Sequence, residues 1–333
     1  MLDELTLAAD DRSFTSLRTP FGDHASKPRL SLRPDQRCDE ALRMILGHLR
    51  QTVAANVDGV IADVDVEFLH DLRVATRRAR SALSQIKGVL PQPAVDRLAA
   101  ELQWLGEVTN PCRDLDVYLL EMDDYRRQLG AATNALDEFK KLLRRERSNA
   151  LRRVRGALRS KRFTRLIDEW RALVESKPSG SNLAHATRSI SDVAGKKILK
   201  ACRRMVKRGA GLTDDPSAKQ LHRLRIDAKK LRYLLEFFRS LYPAERVDLR
   251  IRELKGLQDV LGELNDREIQ RARLAVMTHE LEGTAGADTL AAMSGLGSAL
   301  DHRHEELRAV FRDRFDPIVS TAAQREYRAL FGV

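Results

Sequence analysis

Cysteine is scarce in this chain, three in 333 residues, at Cys38, Cys112 and Cys202. They are odd in number, far apart and in no CxxC pair, which argues against a disulfide framework or a cysteine zinc site. Aromatic residues make up only 5%, and glycine and proline number 18 and 10. A β-sandwich needs aromatics and frequent Gly/Pro turns, whereas this composition suits long helices, so an all-α fold is expected. No apolar run approaches the ~18 residues of a membrane span. The start, Met1-Leu-Asp-Glu-Leu, lacks a basic segment followed by an apolar one, so no secretion signal is read and a cytoplasmic location is expected. Neither GxGxxG nor GxxxxGK(S/T) occurs, which removes the usual glycine-rich cradle for a mononucleotide.

What the chain has in excess is positive charge, with 59 Lys+Arg against 48 Asp+Glu, a net of +11 and a pI near 9.8. The excess is concentrated. Residues 140–162 are net +10, residues 196–232 net +10 and residues 70–80 net +3, which leaves −12 on everything else. Single-sign charge of this density repels itself and persists where it attracts the opposite sign.

Residues 1–33 lack periodicity, contain Pro20, Gly22 and Pro28, and read as a mobile tail. Asp35 after Pro34 is a candidate N-cap for a first helix over about 36–56, closed at Asp58-Gly59. Further helices are expected near 65–89, 93–109, 113–129, 133–159 and 163–175, with Asn110-Pro111 as a break. Ser176-Lys-Pro-Ser-Gly-Ser-Asn182 is the strongest linker signal. Helices then resume near 183–208, 217–241, 244–262, 265–282 and 287–313, with a short one at the end. Domains are therefore placed at 34–175 and 183–333.

The second half repeats the first. At an offset of 152 residues, Leu69, His70, Leu72, Arg73, Arg80, Leu83 and Pro91 are identical to Leu221, His222, Leu224, Arg225, Arg232, Leu235 and Pro243. Glu101, Leu102, Leu105, Val108 and Asp114 likewise match Glu253, Leu254, Leu257, Val260 and Asp266. An offset this long indicates two copies of one unit rather than a solenoid. Each copy has enough amphipathic helix for an antiparallel bundle of about four helices.

On a helical wheel Leu69, Leu72, Thr76, Ala79, Leu83, Ile86 and Leu90 form a core stripe, as do Leu221, Leu224, Ala228, Leu231, Leu235 and Phe238. His70, Arg73, Arg77 and Arg80 form a second stripe about 120° away, and His222, Arg225, Lys229 and Arg232 repeat it. These two basic rows, lying off the core stripe, are expected at the surface. Lys141, Arg145, Arg152, Arg155, Arg159 and Arg162 make a line about 30 Å long, and Lys196, Lys200, Arg203 and Lys207 another. Only Glu146 offers a carboxylate inside the 140–162 stretch. The simplest arrangement sets the two bundles side by side with these helices facing each other across a shared basic groove.

Such a groove selects its ligand by exclusion. Single-stranded nucleic acid wants aromatic platforms among the cations, and the rows contain none. Duplex readers add Asn or Gln for base edges, which the rows lack. A long, flexible polyanion gripped through its phosphates fits, and Arg forks suit that geometry. A nucleic-acid-associated protein is the alternative, and a polyphosphate-processing enzyme a more distant one. His70 and His222 have basic neighbours, which disfavours a bound cation. Asp114 and Asp116 diverge on a helix, as do His302 and His304. No catalytic residue, metal site or cofactor is read.

LHDLRVATRRARSAL and LHRLRIDAKKLRYLLEFF, with ALRRVRGALRSKRFTRLIDEW and LGEVTNPCRDLDVY, resemble the paired signature of the CHAD family, the conserved histidine α-helical domain. The resemblance covers about residues 34–333. It implies two four-helix bundles around a basic channel, binding of inorganic polyphosphate and association with polyphosphate granules. It carries the binding role onto His70, Arg73, Arg77, Arg80, His222, Arg225, Lys229 and Arg232, and the basic lines of 141–162 and 196–207 fit the channel lining. Related domains often follow a triphosphate tunnel domain with an ExExK signature; that string is absent, so a stand-alone, non-catalytic binding form is expected.

Overall fold

The computed structural model describes residues 30–129, 136–176, 183–213, 216–283 and 285–332. Most of the expected tail and the linker, residues 1–29 and 177–182, lie outside the described residues. Residues 30–33 are part of the packed structure. Leu32 is buried in the core and its N–H donates to Ser240 Oγ at 3.0 Å.

The described residues are helical throughout. In chain order they form α1 (Cys38–Ala62), α2 (Val66–Gln85), α3 (Gln92–Leu120), α4 (Met122–Leu129), α5 (Asp137–Leu158) and α6 (Lys161–Glu175). Then follow α7 (Ile190–Ala210), α8 (Ala218–Phe237), a 3-10 turn, α9 (Ala244–Leu281), α10 (Ala287–Val319) and α11 (Thr321–Phe331). Side-chain oxygens start many of them. Asp65 caps α2, Ser160 caps α6, Ser189 caps α7 and Ser320 caps α11, and Ser217 with Gln220 forms a capping box on α8.

Helix packing follows one order in both halves. α1 packs on α2, α2 on α3, α3 on α5 and α1 on α6; in parallel, α7 packs on α8, α8 on α9, α9 on α10 and α7 on α11. Both expected apolar stripes are buried along their whole length.

Four expected boundaries shift, each for a local reason. α1 runs through Asp58-Gly59 because the glycine is needed for contact rather than for a break, a Cβ there falling 2.1 Å from Phe68 Cδ1. α3 runs through Pro111. Arg73 of α2 clasps that turn, donating to Gly106 O, Thr109 Oγ1 and Asn110 Oδ1 at 2.9, 2.8 and 2.6 Å, beside Glu107 O, the carbonyl whose helical donor the proline removes. The helices expected near 244–262 and 265–282 are one long α9, with Asn265 an interior residue bonded to His222. Asp35 does not cap α1, whose N-cap is Arg37.

The starts of α1 and α7 satisfy each other instead. Cys38 N–H donates to Arg188 O and Ile190 N–H to Gln36 O, at 2.9 and 2.8 Å; Asp39 N–H donates to Ala186 O and Ser191 N–H to Pro34 O, at 3.1 and 3.3 Å. Within each couple a shift of 152 residues converts one bond into the other. Orphan N–H groups of two helix starts are thereby paired by exchange.

The halves meet chiefly through α2 against α8, α1 against α7, and α10 against α4 and α5. The α2–α8 contact is antiparallel. Arg78 reaches Glu236 at 2.7 Å, and Gln85 donates to Lys230 O at 3.1 Å. α5 facing α7, the arrangement expected from the charge, is not one of these extensive pairs; each instead packs on α1.

Candidate functional site

The two motif rows are largely inside the protein. His70, Arg73, His222, Arg225, Lys229 and Arg232 are buried, and Arg77 and Arg80 are half-buried. The expectation that they are surface side chains is therefore corrected. Long neighbouring helices wrap the second stripe as well as the first. Arg73 is held by the α3 turn described above, and Arg225 lies beside Gly262 of α9, 3.7 Å from where a Cβ would stand. Arg80 approaches Gln103 Oε1 at 3.4 Å. Arg232 and Arg78 share Glu236, at 3.3 and 2.7 Å, with both guanidinium carbons 5.5 Å from the centre of the Tyr233 ring.

The two histidines occupy repeat-equivalent places with different chemistry. His70 Nδ1 lies 2.8 Å from Arg113 Nη2, and His222 Nδ1 lies 2.9 Å from Asn265 Oδ1. Arginine has no acceptor, so His70 Nδ1 accepts and its proton sits on Nε2. In His222, with the amide oxygen assigned as drawn, Nδ1 donates. His222 Nε2 is buried and has no hydrogen-bond partner among the described residues.

A second buried network joins α3 and α4 to α9. Arg267 donates to Glu121 Oε2, Tyr125 Oη and Gln270 Oε1 at 3.0, 2.7 and 2.8 Å, and Gln270 Nε2 donates to Glu121 Oε2 at 2.7 Å. The two halves are thus tied by buried ion pairs at two places, Arg78–Glu236 and Arg267–Glu121.

The line on α5 divides into fasteners and exposed cations. Arg155 Nε donates to Ile61 O at 2.7 Å. Arg162 pairs with Glu101 at 2.7 Å and lies 4.3 Å over the Trp104 ring. Lys141 pairs with Glu138 at 2.8 Å, which holds its ammonium above the usual lysine range through that hydrogen bond. Arg152 donates to Asn149 at 2.5 Å. Arg147, off the line, joins Asp63 and Asp116. Carboxylates missing from the 140–162 sequence are thus delivered by α1, α3 and the first turn of α5. Arg145 and Arg159 remain exposed without an ion pair among the described residues. On α7, Lys196, Lys200, Arg203 and Lys207 are all exposed.

Sequence reasoning missed Arg204, Arg208, Arg223 and Lys230. With Lys207 they line two adjoining clefts of α7 and α8, of about 360 and 390 Å³. Asp227, itself buried, takes Arg204 Nε at 2.8 Å and Arg208 Nε at 2.5 Å. The Lys230 ammonium is pushed below the usual lysine range by burial and then by Arg204. Lys197 is pushed down in the same way by burial and by Lys200. The offset of 152 could have flagged the asymmetry, because the first-half counterparts of Arg204, Arg208 and Arg223 are Thr52, Asn56 and Asp71.

Aromatic platforms are scarce. Among the described residues every Phe, Tyr and Trp is buried except Trp104 and Tyr242. Among the described residues no group of three or more His, Cys, Asp and Glu is placed to hold a metal ion, and no helix is long and apolar enough to cross a membrane. Burial pushes the thiols of Cys38 and Cys112 up to about 12 and that of Cys202 to about 11. They are core residues far from nucleophilic use.

The CHAD domain profile matches residues 43–275. The uncharacterised proteins Rv2226 and MT2285 of Mycobacterium tuberculosis are each 29% identical over 229 residues, 67% of this chain and 42% of theirs. The chain thus spans less than half the length of those relatives. The crystal structure of the CHAD domain from the plant Ricinus communis is similar with a TM-score of 0.73 and 29% identity, over 86% of this chain and 94% of that one. PptA from Streptomyces chartreusis has a TM-score of 0.67 over 84% of this chain and 99% of its own, and at 18% identity that likeness is one of fold.

Proposed function

The chain belongs to the CHAD family, and we propose that it binds long-chain inorganic polyphosphate without hydrolysing it, as a cytoplasmic module associated with polyphosphate granules. The observation that carries this reading is the set of exposed cations on α5 and α7. Arg145, Arg159, Lys200, Arg203 and Lys207 reach solvent, while among the described residues every aromatic ring except Trp104 and Tyr242 is buried. A chain of phosphates offers charge and oxygen acceptors at every unit and no ring to stack. It matches a surface built of ammonium and guanidinium groups alone. The buried rows at 70–80 and 222–232 brace α2 against α3 and α8 against α9, and α5 packs on α3 and α7 on α8. Half-buried Arg77 and Arg80 are the members of those rows best placed to add to the surface.

The test is a ladder of polyphosphate lengths, with dissociation constants measured while free phosphate is followed. Affinity rises with length until the cationic surface is filled, because each further contact is intramolecular at high effective concentration. It falls with salt, by about 0.7 in log K per log salt for each phosphate contact if single strands are a guide. Equal affinity for triphosphate and long chains defeats the long-chain reading. Steady, metal-dependent phosphate release makes the protein an enzyme.

A further inference from the structure

The double cleft of α7 and α8 was not singled out by the repeat, the motif rows or the basic lines. Among the described residues five cations line it, Arg204, Lys207, Arg208, Arg223 and Lys230, against the carboxylate of Asp227. Asp227 meets both arginines through Nε. That fixes two guanidinium planes and leaves their Nη nitrogens as the remaining donors, a pre-ordered pair suited to phosphate oxygens. Arg223 is exposed and Lys230 half-buried, and neither forms an ion pair among the described residues. Lys87, from the turn after α2, adds to the same field, being one of the charges that depress both Lys197 and Lys230. Each cleft is within the size range of small-ligand pockets, and the remaining lining is Gly211, Leu212, Gln220 and Ile226. No aromatic ring faces it.

We propose that this double cleft is an anchoring subsite for a short run of condensed phosphate, one per chain, which seats a tripolyphosphate-sized segment apart from the lines on α5 and the outer face of α7. The inference rests on the polyphosphate reading and gives it a fixed starting point. It is single because the first half has Thr52, Asn56 and Asp71 where the second has Arg204, Arg208 and Arg223. The counterpart of Lys230 is Arg78, which is buried against Glu236. A bare phosphate chain is favoured over a nucleotide because the lining offers a base nothing to stack on.

The experiment is calorimetric titration of the whole chain with tripolyphosphate, ATP and long-chain polyphosphate. It compares the wild type with Arg223→Gln, with Arg223→Gln/Lys230→Gln, and with Arg97→Gln/Arg325→Gln, a control at exposed positions of α3 and α11. Arg204 and Arg208 are left in place so that Asp227 is never stranded. The exposed Arg223→Gln serves if the double variant fails to fold. Tripolyphosphate binds the wild type at one equivalent and more tightly than ATP. The double cleft variant binds it at least about tenfold more weakly, the loss of roughly one charge-assisted hydrogen bond, and the Arg97→Gln/Arg325→Gln control binds it unchanged. Tripolyphosphate affinity equal in wild type and cleft variant, two equivalents per chain, or tighter ATP overturns the subsite. The two readings fail separately. If long chains bind tightly while the cleft substitutions leave tripolyphosphate untouched, only the subsite is wrong. If tripolyphosphate depends on the cleft but longer chains bind no tighter, only the long-chain reading is wrong.

Discussion

Replacing Arg73 with alanine should unsettle the fold before it affects any ligand. Arg73 is 5% exposed, and its guanidinium makes three hydrogen bonds of 2.6 to 2.9 Å to the turn of α3 that contains Pro111. Alanine removes the charge and leaves Gly106 O and Asn110 Oδ1 without that donor in a dry site. Hydrogen bonds to charged groups contribute roughly 1.5–3 kcal/mol each and are not additive. Losing the three together, with their acceptors left unserved, costs about 3–5 kcal/mol once non-additivity is allowed for. For a chain of this size that corresponds to a fall in Tm of about 4–7 °C. The control is Arg145→Gln on the exposed face of α5, where a change within about 0.5 kcal/mol is expected. The assay is thermal and urea unfolding followed by circular dichroism at 222 nm, with ligand absent. A loss below about 1 kcal/mol at Arg73, or equal losses at Arg73 and Arg145, refutes the assignment of the motif rows to the interior.

Glu236→Ala removes the carboxylate shared by Arg78 and Arg232, whose side chains are 2% and 3% exposed, and should cost about 3–5 kcal/mol in urea unfolding. Gly59→Ala should destabilise by about 1–3 kcal/mol through the clash with Phe68, although alanine is the better helix former by roughly 1 kcal/mol; a rise in Tm would show that Phe68 simply moves. Alkaline pH should weaken the fold. The thiols titrate near 8.5 in an unfolded chain but at about 11 to 12 in the folded one. The stabilisation from keeping them neutral is therefore complete below about pH 8.5 and is lost as the pH climbs toward the folded values. Tm measured from pH 8 to 11 should fall, and a thiol reagent should leave the native cysteines untouched at pH 8; fast labelling of all three would contradict their burial.

Much of the helical scaffold was legible because heptad-like spacing is a local property. The two apolar stripes and most helix positions follow from it. The misplaced breaks at Asp58-Gly59 and Asn110-Pro111 were read from residue type alone. In each case a partner from another helix, Phe68 or Arg73, gives the residue an interior role. The basic rows were legible as rows but not as buried rows. A wheel shows which residues share a face, not how many neighbours cover it. The carboxylate partners of the basic side chains in 140–162 come from positions 63, 101, 116 and 138, distant or outside the charged window, so the acids inside that window overstate its freedom. The cleft at Arg204, Arg208 and Arg223 was missed because those positions break the repeat, and the search followed the repeat.

The most direct test is competition at fixed ionic strength, with labelled long-chain polyphosphate displaced by unlabelled polyphosphate, single-stranded RNA or duplex DNA at equal phosphate concentration. Base stacking on aromatic side chains contributes roughly 1–3 kcal/mol per base where such platforms exist. Here Trp104 lies under Arg162 and, among the described residues, Tyr242 is the one other aromatic not buried. The account predicts that polyphosphate displaces the label at least about tenfold more effectively than either nucleic acid, which lacks that stacking gain. Displacement by RNA at equal or lower phosphate concentration would contradict it.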